Sequence, residues 1–152
     1  MGSPVTSRGP LNYTTVIDPM KSVGECTALL VKHGASAIGT TWADGKATGL
    51  TFEIRTVHGM RRYSLPVNIN GTYAALQGAA VRGAIASRFA TEEQAERTGW
   101  RVLKDWLEAQ LALIDAGVAD MQEVMLPWMH LDRVTTVYRA FLENEQRLAI
   151  EE

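Results

Sequence analysis

Apolar and polar residues alternate most sharply in the middle of the chain, and this alternation predicts three strands. In the run 49–57 nearly every second residue is apolar, which is the period of a half-buried β-strand. Shorter runs of the same kind precede and follow it, at 37–43 and 60–67. Tight-turn pairs join the three runs at Asp44-Gly45 and His58-Gly59. We therefore predict an antiparallel meander with one apolar face and one polar face.

Helical spacing of apolar residues flanks this β section on both sides. It runs through 21–33 before the strands and through 72–87 and 91–116 after them. Two shorter helical segments are predicted to begin near Asp120 and Asp132. The pattern therefore predicts an α+β fold, with an N-terminal helix, the three-stranded meander and a helical C-terminal half packed on one sheet face.

The beginning of the chain predicts a leader and a short strand. Residues 1–10 carry no apolar run and are expected to form a flexible leader, while the β-branched run 11–17 favours a strand. No repeat or low-complexity segment divides the remainder, so 11–152 is expected to form a single domain.

The start of the long predicted helix carries a capping motif. The segment 91–94 has the spacing of a capping box, in which Gln94 reaches back to the backbone that precedes the helix.

Composition narrows the classes of function. The 152 residues are 46% hydrophobic and carry 15 basic against 17 acidic side chains, for a net charge of −2. That balance is typical of an ordinary globular protein and excludes a strongly basic nucleic-acid binder, although a local basic stripe is still compatible with it. The only cysteine is Cys26, which is consistent with a reducing compartment. No apolar run is long enough for a membrane span, so we expect no membrane association.

Motifs for catalysis and for cofactors are missing from the sequence. It contains no Gly-x-Ser-x-Gly elbow, no phosphate-binding loop and no dinucleotide fingerprint. The three histidines, His33, His58 and His130, stand far apart and outside the spacings that bind metals. We therefore expect no catalytic residue, no metal site and no cofactor, and we favour a binding protein over an enzyme with an unrecognised site.

The outer face of the predicted meander is one candidate binding surface. Arg55, Arg61 and Arg62 could contact phosphates of single-stranded DNA, because arginines beside exposed rings are a common way to hold single strands. The candidate rings are Tyr63 and Trp42. The competing interpretation is that both rings belong to the core and that the arginines only keep an exposed face soluble.

An apolar segment near the C-terminal end is the second candidate surface. It contains Met125, Leu126, Trp128 and Met129, with Pro127 halting the preceding helix. If these side chains are exposed, the segment would dock a protein partner or another copy of the chain. Alternatively, it closes over the end of the long helix and is ordinary core.

Five segments together resemble a known group of proteins. They are LNYTT (11–15), KHGA (32–35), LPVN (65–68), WRVLKDWLEAQLALI (100–114) and LPWM (126–129). With these segments the chain resembles a recurrent group of small, mostly uncharacterised proteins of bacteriophages and integrated prophages. No catalytic motif comes with the resemblance, which implies an accessory protein that works in the cytoplasm of a bacterial host.

Two functional hypotheses follow from the residues and the resemblance together. The first is a non-catalytic phage-type binding protein in DNA metabolism, which contacts single-stranded DNA or a replication or recombination partner. The second is an inhibitor or adaptor that docks on host machinery, such as a defence system, through the apolar C-terminal segment. The net negative charge tells against the first hypothesis and is neutral for the second.

Overall fold

The computed structural model describes residues 8–151 and has the predicted α+β architecture. An N-terminal helix precedes three strands, and the C-terminal half is helical. The elements are α1 (Pro19–Lys32), β1 (Ser36–Ala43), β2 (Lys46–Thr56), β3 (Gly59–Pro66), α2 (Ile69–Val81), α3 (Glu92–Asp115), α4 (Met121–Met125) and α5 (Val137–Glu151). Short 3₁₀ turns lie at Ser87–Phe89 and Leu126–Trp128.

The sheet is the predicted antiparallel meander, in the order β1-β2-β3. Phe52 lies opposite Tyr63, and their rings stack with 5.4 Å between centroids. Together with Leu50, Ile54 and Leu65 they form the buried face. On the outer face Glu53 lies opposite Arg62. The period-two pattern therefore fixed both the register and the side of the sheet that the helices cover.

Helix α3 joins the sheet to the other helices. Its buried residues include Trp100, Leu107 and Leu111, which belong to the same cluster as the inner face of the sheet. The indole N–H of Trp100 donates to the carbonyl oxygen of Ala47 at 2.9 Å, a contact between α3 and β2 in the middle of the core. Helices α1 and α2 both pack along α3, so the core lies between one sheet face and the three helices.

The strand predicted at 11–17 is wrong, because this segment is a turn followed by extended chain. Asn12 adopts a positive φ of 62°, and the carbonyls of Tyr13 and Thr15 both accept hydrogen bonds from the side chain of Gln94, at 2.8 and 2.9 Å. The segment is therefore fixed to α3 by a side chain instead of pairing with a strand. Of the predicted leader, residues 1–7 lie outside the described residues, whereas Pro10 is half-buried and accepts a hydrogen bond from Tyr13.

The predicted cap of α3 is half confirmed. Thr91 accepts a hydrogen bond from the backbone N–H of Gln94 at 3.1 Å, as the pattern requires. The side chain of Gln94 does not complete the capping box, because it is used by the N-terminal turn. The glutamine is thus a tertiary anchor, and its spacing from Thr91 gave no sign of that role.

Residues 129–136 lie against the sheet before α5 begins. The backbone N–H of His130 donates to the carbonyl of Arg62 at 2.8 Å, and Met129 forms a bridge with Tyr63, so the segment lies along the free edge of β3. The N–H of Val137 then donates to Met129 O at 2.9 Å and fixes the start of α5. Beyond that point α5 contains no buried residue between 137 and 150.

Candidate interaction surfaces

A basic depression lies beside the end of the β2–β3 hairpin. Arg61, Arg62 and Arg133 line it together with His130, and its volume is about 620 Å³. The one carboxylate in the lining, Asp132, accepts backbone hydrogen bonds from Val134 and Thr135 at 2.8 Å each. These bonds, the one from Val134 foremost, lower the pKa of Asp132 below its ordinary value. Asp132 therefore stays ionised, but the three arginines outnumber it, so the depression keeps a net positive charge.

The rings predicted to accompany these arginines are not placed beside them. Tyr63 is fully buried against Phe52, and its burial raises the pKa of the phenol. It therefore presents no face to a base, which corrects its assignment to the nucleic-acid surface. Trp42 is more than half exposed but lies opposite Ala47, eight residues along β2 from Arg55. That spacing corresponds to about 26 Å along an extended strand.

The arginines of the outer sheet face stand without an aromatic platform, and Glu53 lies opposite Arg62 on that face. Arg55 and Arg62 are exposed, as the alternation predicts, whereas Arg61 is half-buried and lies on the other side of β3, with Tyr63 and Leu65. Two of the five predicted residues, the rings, do not join them: one is in the core and the other lies at the far end of the sheet. The geometry offers contacts to phosphate but no adjacent stacking surface for bases.

An apolar groove lies between the N-terminal turn, the end of β3 and helices α2 and α3. Its volume is about 600 Å³, and Trp106 and Trp128 stand at its sides. No charged side chain among residues 8–151 lines this groove. The lining residues are Pro10, Leu11, Leu65, Pro66, Val67, Asn68, Gly71, Thr72, Ala75, Thr98, Gly99, Val102, Leu103, Trp106 and Trp128. We call this surface the tryptophan groove.

The predicted apolar segment is divided between the core and the tryptophan groove. Met125 is fully buried, so it is not available to a partner and its assignment as a partner-binding residue is corrected. Leu126 is exposed, and Trp128 and Met129 are half-buried. Trp128 lines both the tryptophan groove and a neighbouring cleft of about 500 Å³ beneath α5. It is the member of the segment that lines both concave surfaces.

Sequence reasoning missed most of the tryptophan groove. Its other walls come from the N-terminal turn, the end of β3, α2 and the half-buried side of α3. On α3, Trp106 lies about one turn beyond Val102 and Leu103. One signal was available, namely Gly99. A Cβ atom at this position would lie 2.9 Å from a methyl group of Val67, so the glycine allows α3 to approach the end of β3.

A serine–histidine pair lies in the cleft beneath α5. The hydroxyl of Ser64 and Nε2 of His130 are 2.7 Å apart, and Nδ1 of the ring lies 3.1 Å from the carbonyl oxygen of Asp132. Since a carbonyl only accepts, Nδ1 carries the proton and Nε2 accepts from Ser64. Together with the backbone bond from His130 to Arg62, the pair holds the C-terminal segment against β3.

Neither a metal cluster nor a membrane span is found in the described part of the chain. Among residues 8–151 no group of three or more histidine, cysteine or acidic side chains is placed to hold a metal ion. No helix in that range is long and apolar enough to cross a membrane. Comparisons with models of protein families, with curated proteins and with solved structures found no match.

Proposed function

We propose that this protein is a non-catalytic adaptor or inhibitor that binds an apolar segment of another protein in the tryptophan groove. The observation that carries the proposal is the groove itself, an uncharged concave surface with two half-buried tryptophans at its sides. Tryptophan is the residue most enriched among side chains that dominate binding energy. The resemblance to phage accessory proteins suggests that the partner is a phage or bacterial host protein in the cytoplasm.

The lining of the groove defines the chemistry of its occupant. Because no charged side chain of residues 8–151 lines it, a charged group at its centre would lose hydration without gaining an ion pair. The polar residues of the lining make hydrogen bonds within the chain: Asn68 accepts from the backbone N–H of Gly71, and Thr72 and Thr98 donate to backbone carbonyl oxygens. We therefore expect a short amphipathic segment whose apolar side chains enter between Trp106 and Trp128 and whose charged side faces the solvent.

A blocking variant tests this proposal without disturbing the core. Ala75 is an exposed residue of α2 that lines the groove, whereas its neighbour Ala74 is also exposed and is absent from the lining. Peptides are selected on the wild-type protein from a random display library. Binding of the selected peptides is then measured for Ala75→Glu and for the matched control Ala74→Glu.

The two glutamate variants should differ in peptide binding. Ala75→Glu places a carboxylate in the uncharged groove and should weaken peptide binding at least tenfold, whereas Ala74→Glu should bind like the wild type. Trp128→Ala should weaken binding comparably, because losing a hot-spot tryptophan commonly costs about 2 kcal/mol or more. If no peptide is enriched, or if both glutamate variants bind equally well, the proposal is wrong.

The basic depression favours a second candidate function, binding of single-stranded DNA. Arg61, Arg62 and Arg133 line one concavity, in which Asp132 is the one carboxylate contributed by residues 8–151. Such a surface supports contacts to phosphates. Because Tyr63 is buried and Trp42 is distant, we expect this binding to depend on charge and to show little preference for base sequence.

A salt series tests the second candidate. Affinity for a labelled single strand is measured for the wild type, for Arg62→Ala and Arg133→Ala, and for the control Arg82→Ala, which is the C-cap of α2. Each lost phosphate contact should reduce the slope of log affinity against log salt by about 0.7. Absence of binding at about 50 mM salt, where screening is modest, would rule the candidate out.

A further inference from the structure

Trp128 borders two cavities. It lines the tryptophan groove, of about 600 Å³, and also the cleft beneath α5, of about 500 Å³. Leu65 and Pro66 at the end of β3 are shared by the two linings as well. Core side chains are held in place by close packing on all sides, and a half-buried ring with a cavity on two sides lacks part of that packing. The position of the Trp128 ring therefore depends on how its backbone is anchored.

The backbone that precedes Trp128 is anchored by the core. Met125 is fully buried, and the short 3₁₀ turn that follows it contains Pro127 and Trp128. The N–H of Met129 donates to the carbonyl oxygen of Leu126 at 3.1 Å and closes this turn. This anchor fixes where the turn begins, whereas its end depends on the next segment.

The backbone that follows Trp128 is anchored to β3 through His130. The N–H of His130 donates to the carbonyl oxygen of Arg62 at 2.8 Å. Its ring atom Nε2 accepts a hydrogen bond from the hydroxyl of Ser64, over 2.7 Å. The ring is held in this orientation because its Nδ1–H donates to the carbonyl oxygen of Asp132 at 3.1 Å. The serine–histidine bond is thus a side-chain tie to the sheet only two residues beyond Trp128.

We propose that Ser64 and His130 are positioning residues of the tryptophan groove, whose hydrogen bond sets the place of Trp128 and thereby the affinity of the groove for a peptide. This role rests on the proposed function of the groove. Neither residue belongs to the groove lining, so both act through the backbone of Trp128 and not by contact with the peptide. Without the bond, the ring gains freedom to move towards the cleft beneath α5, where there is space for it. Its contact with a peptide in the groove is then weakened.

The position of the ring is tested in the free protein labelled with fluorotryptophan. In Ser64→Ala the fluorine signal of Trp128 should shift or broaden, whereas the signal of the buried Trp100 should stay in place. The control Thr41→Val removes another hydroxyl of the same cleft, one that is hydrogen-bonded to Thr48 on β2, and should leave the Trp128 signal unchanged. Ser64→Thr keeps a hydroxyl at the position and should bring the signal back towards that of the wild type.

The affinity for a peptide selected on the wild type is then measured for the same variants. Ser64→Ala should bind about threefold to tenfold more weakly, which is the effect of losing one hydrogen bond. Thr41→Val should bind like the wild type, and Ser64→Thr should recover most of the loss. If Ser64→Ala does not fold, His130→Phe decides by the same measurements, because it keeps a ring and removes both side-chain hydrogen bonds.

Three results would overturn the positioning role. They are a Trp128 signal that does not move in Ser64→Ala, an unchanged affinity of that variant for the peptide, and an equal effect of Thr41→Val. A selection that enriches no peptide would instead refute the proposed function of the groove. The fluorine signal of Trp128 is read without peptide, so it would still decide whether Ser64 and His130 position the ring.

Discussion

The indole N–H of Trp100 donates to the carbonyl oxygen of Ala47 at 2.9 Å in the centre of the core. Both residues are buried, so this bond joins α3 to β2 at a point that water does not reach. A buried carbonyl without a donor is costly, and the bond therefore fixes where along β2 the long helix lies. The same helix places Trp106, two turns later, at the side of the tryptophan groove.

Substitutions at the two tryptophans of α3 should separate a core role from a surface role. Trp100→Phe removes the indole donor and leaves the Ala47 carbonyl unpaired, in addition to a cavity. We expect it to lower the free energy of unfolding by about 3 kcal/mol. Trp106→Phe should cost less than half as much, because that ring is half-buried. Denaturant unfolding measures both values, and equal losses would contradict the assignment of Trp106 to the groove wall.

Gln94 is predicted to hold the N-terminal turn. Its amide nitrogen donates to the carbonyls of Tyr13 and Thr15. Gln94→Glu keeps the shape of the side chain but places a carboxylate against two carbonyl oxygens. We expect a loss of about 2 kcal/mol in the free energy of unfolding and faster amide hydrogen exchange at residue 15. Unchanged exchange at that amide would show that the turn is held by other contacts.

The buried thiol of Cys26 is expected to make the folded protein less stable at high pH. Burial raises the pKa of its thiol from 9.0 to about 12, so the folded state keeps the proton that the unfolded chain releases. Stability is therefore complete below pH 9 and falls as the pH rises towards 12, by up to about 1.4 kcal/mol per pH unit. Cys26→Ala should remove this part of the pH dependence, although it also lowers the baseline stability. Unfolding curves collected between pH 8 and 10 for both proteins provide the comparison, and parallel pH profiles would contradict the prediction.

The fold could be predicted from the sequence where apolar residues recurred at a regular interval or a cap was recognisable. The alternation around Phe52 predicted the sheet, and the capping residue Thr91 predicted the start of α3. The turn at Asn12 could not be predicted, since its backbone is held by a side chain about eighty residues away. The tryptophan groove was missed for a related reason. Its walls come from five separate segments, and only Trp128 stood out locally.

The most direct test of the proposed function is fluorine NMR of the protein labelled with fluorotryptophan, titrated with a peptide selected on the wild type. The chain has four tryptophans, and each gives one signal that a single Trp→Phe variant assigns. Trp106 and Trp128 line the groove, whereas Trp42 lies on β1 and Trp100 is buried in the core. We predict that the signals of Trp106 and Trp128 shift together on binding while those of Trp42 and Trp100 stay in place. A peptide that binds without moving the signals of Trp106 and Trp128 would contradict the claim that the groove is the docking site.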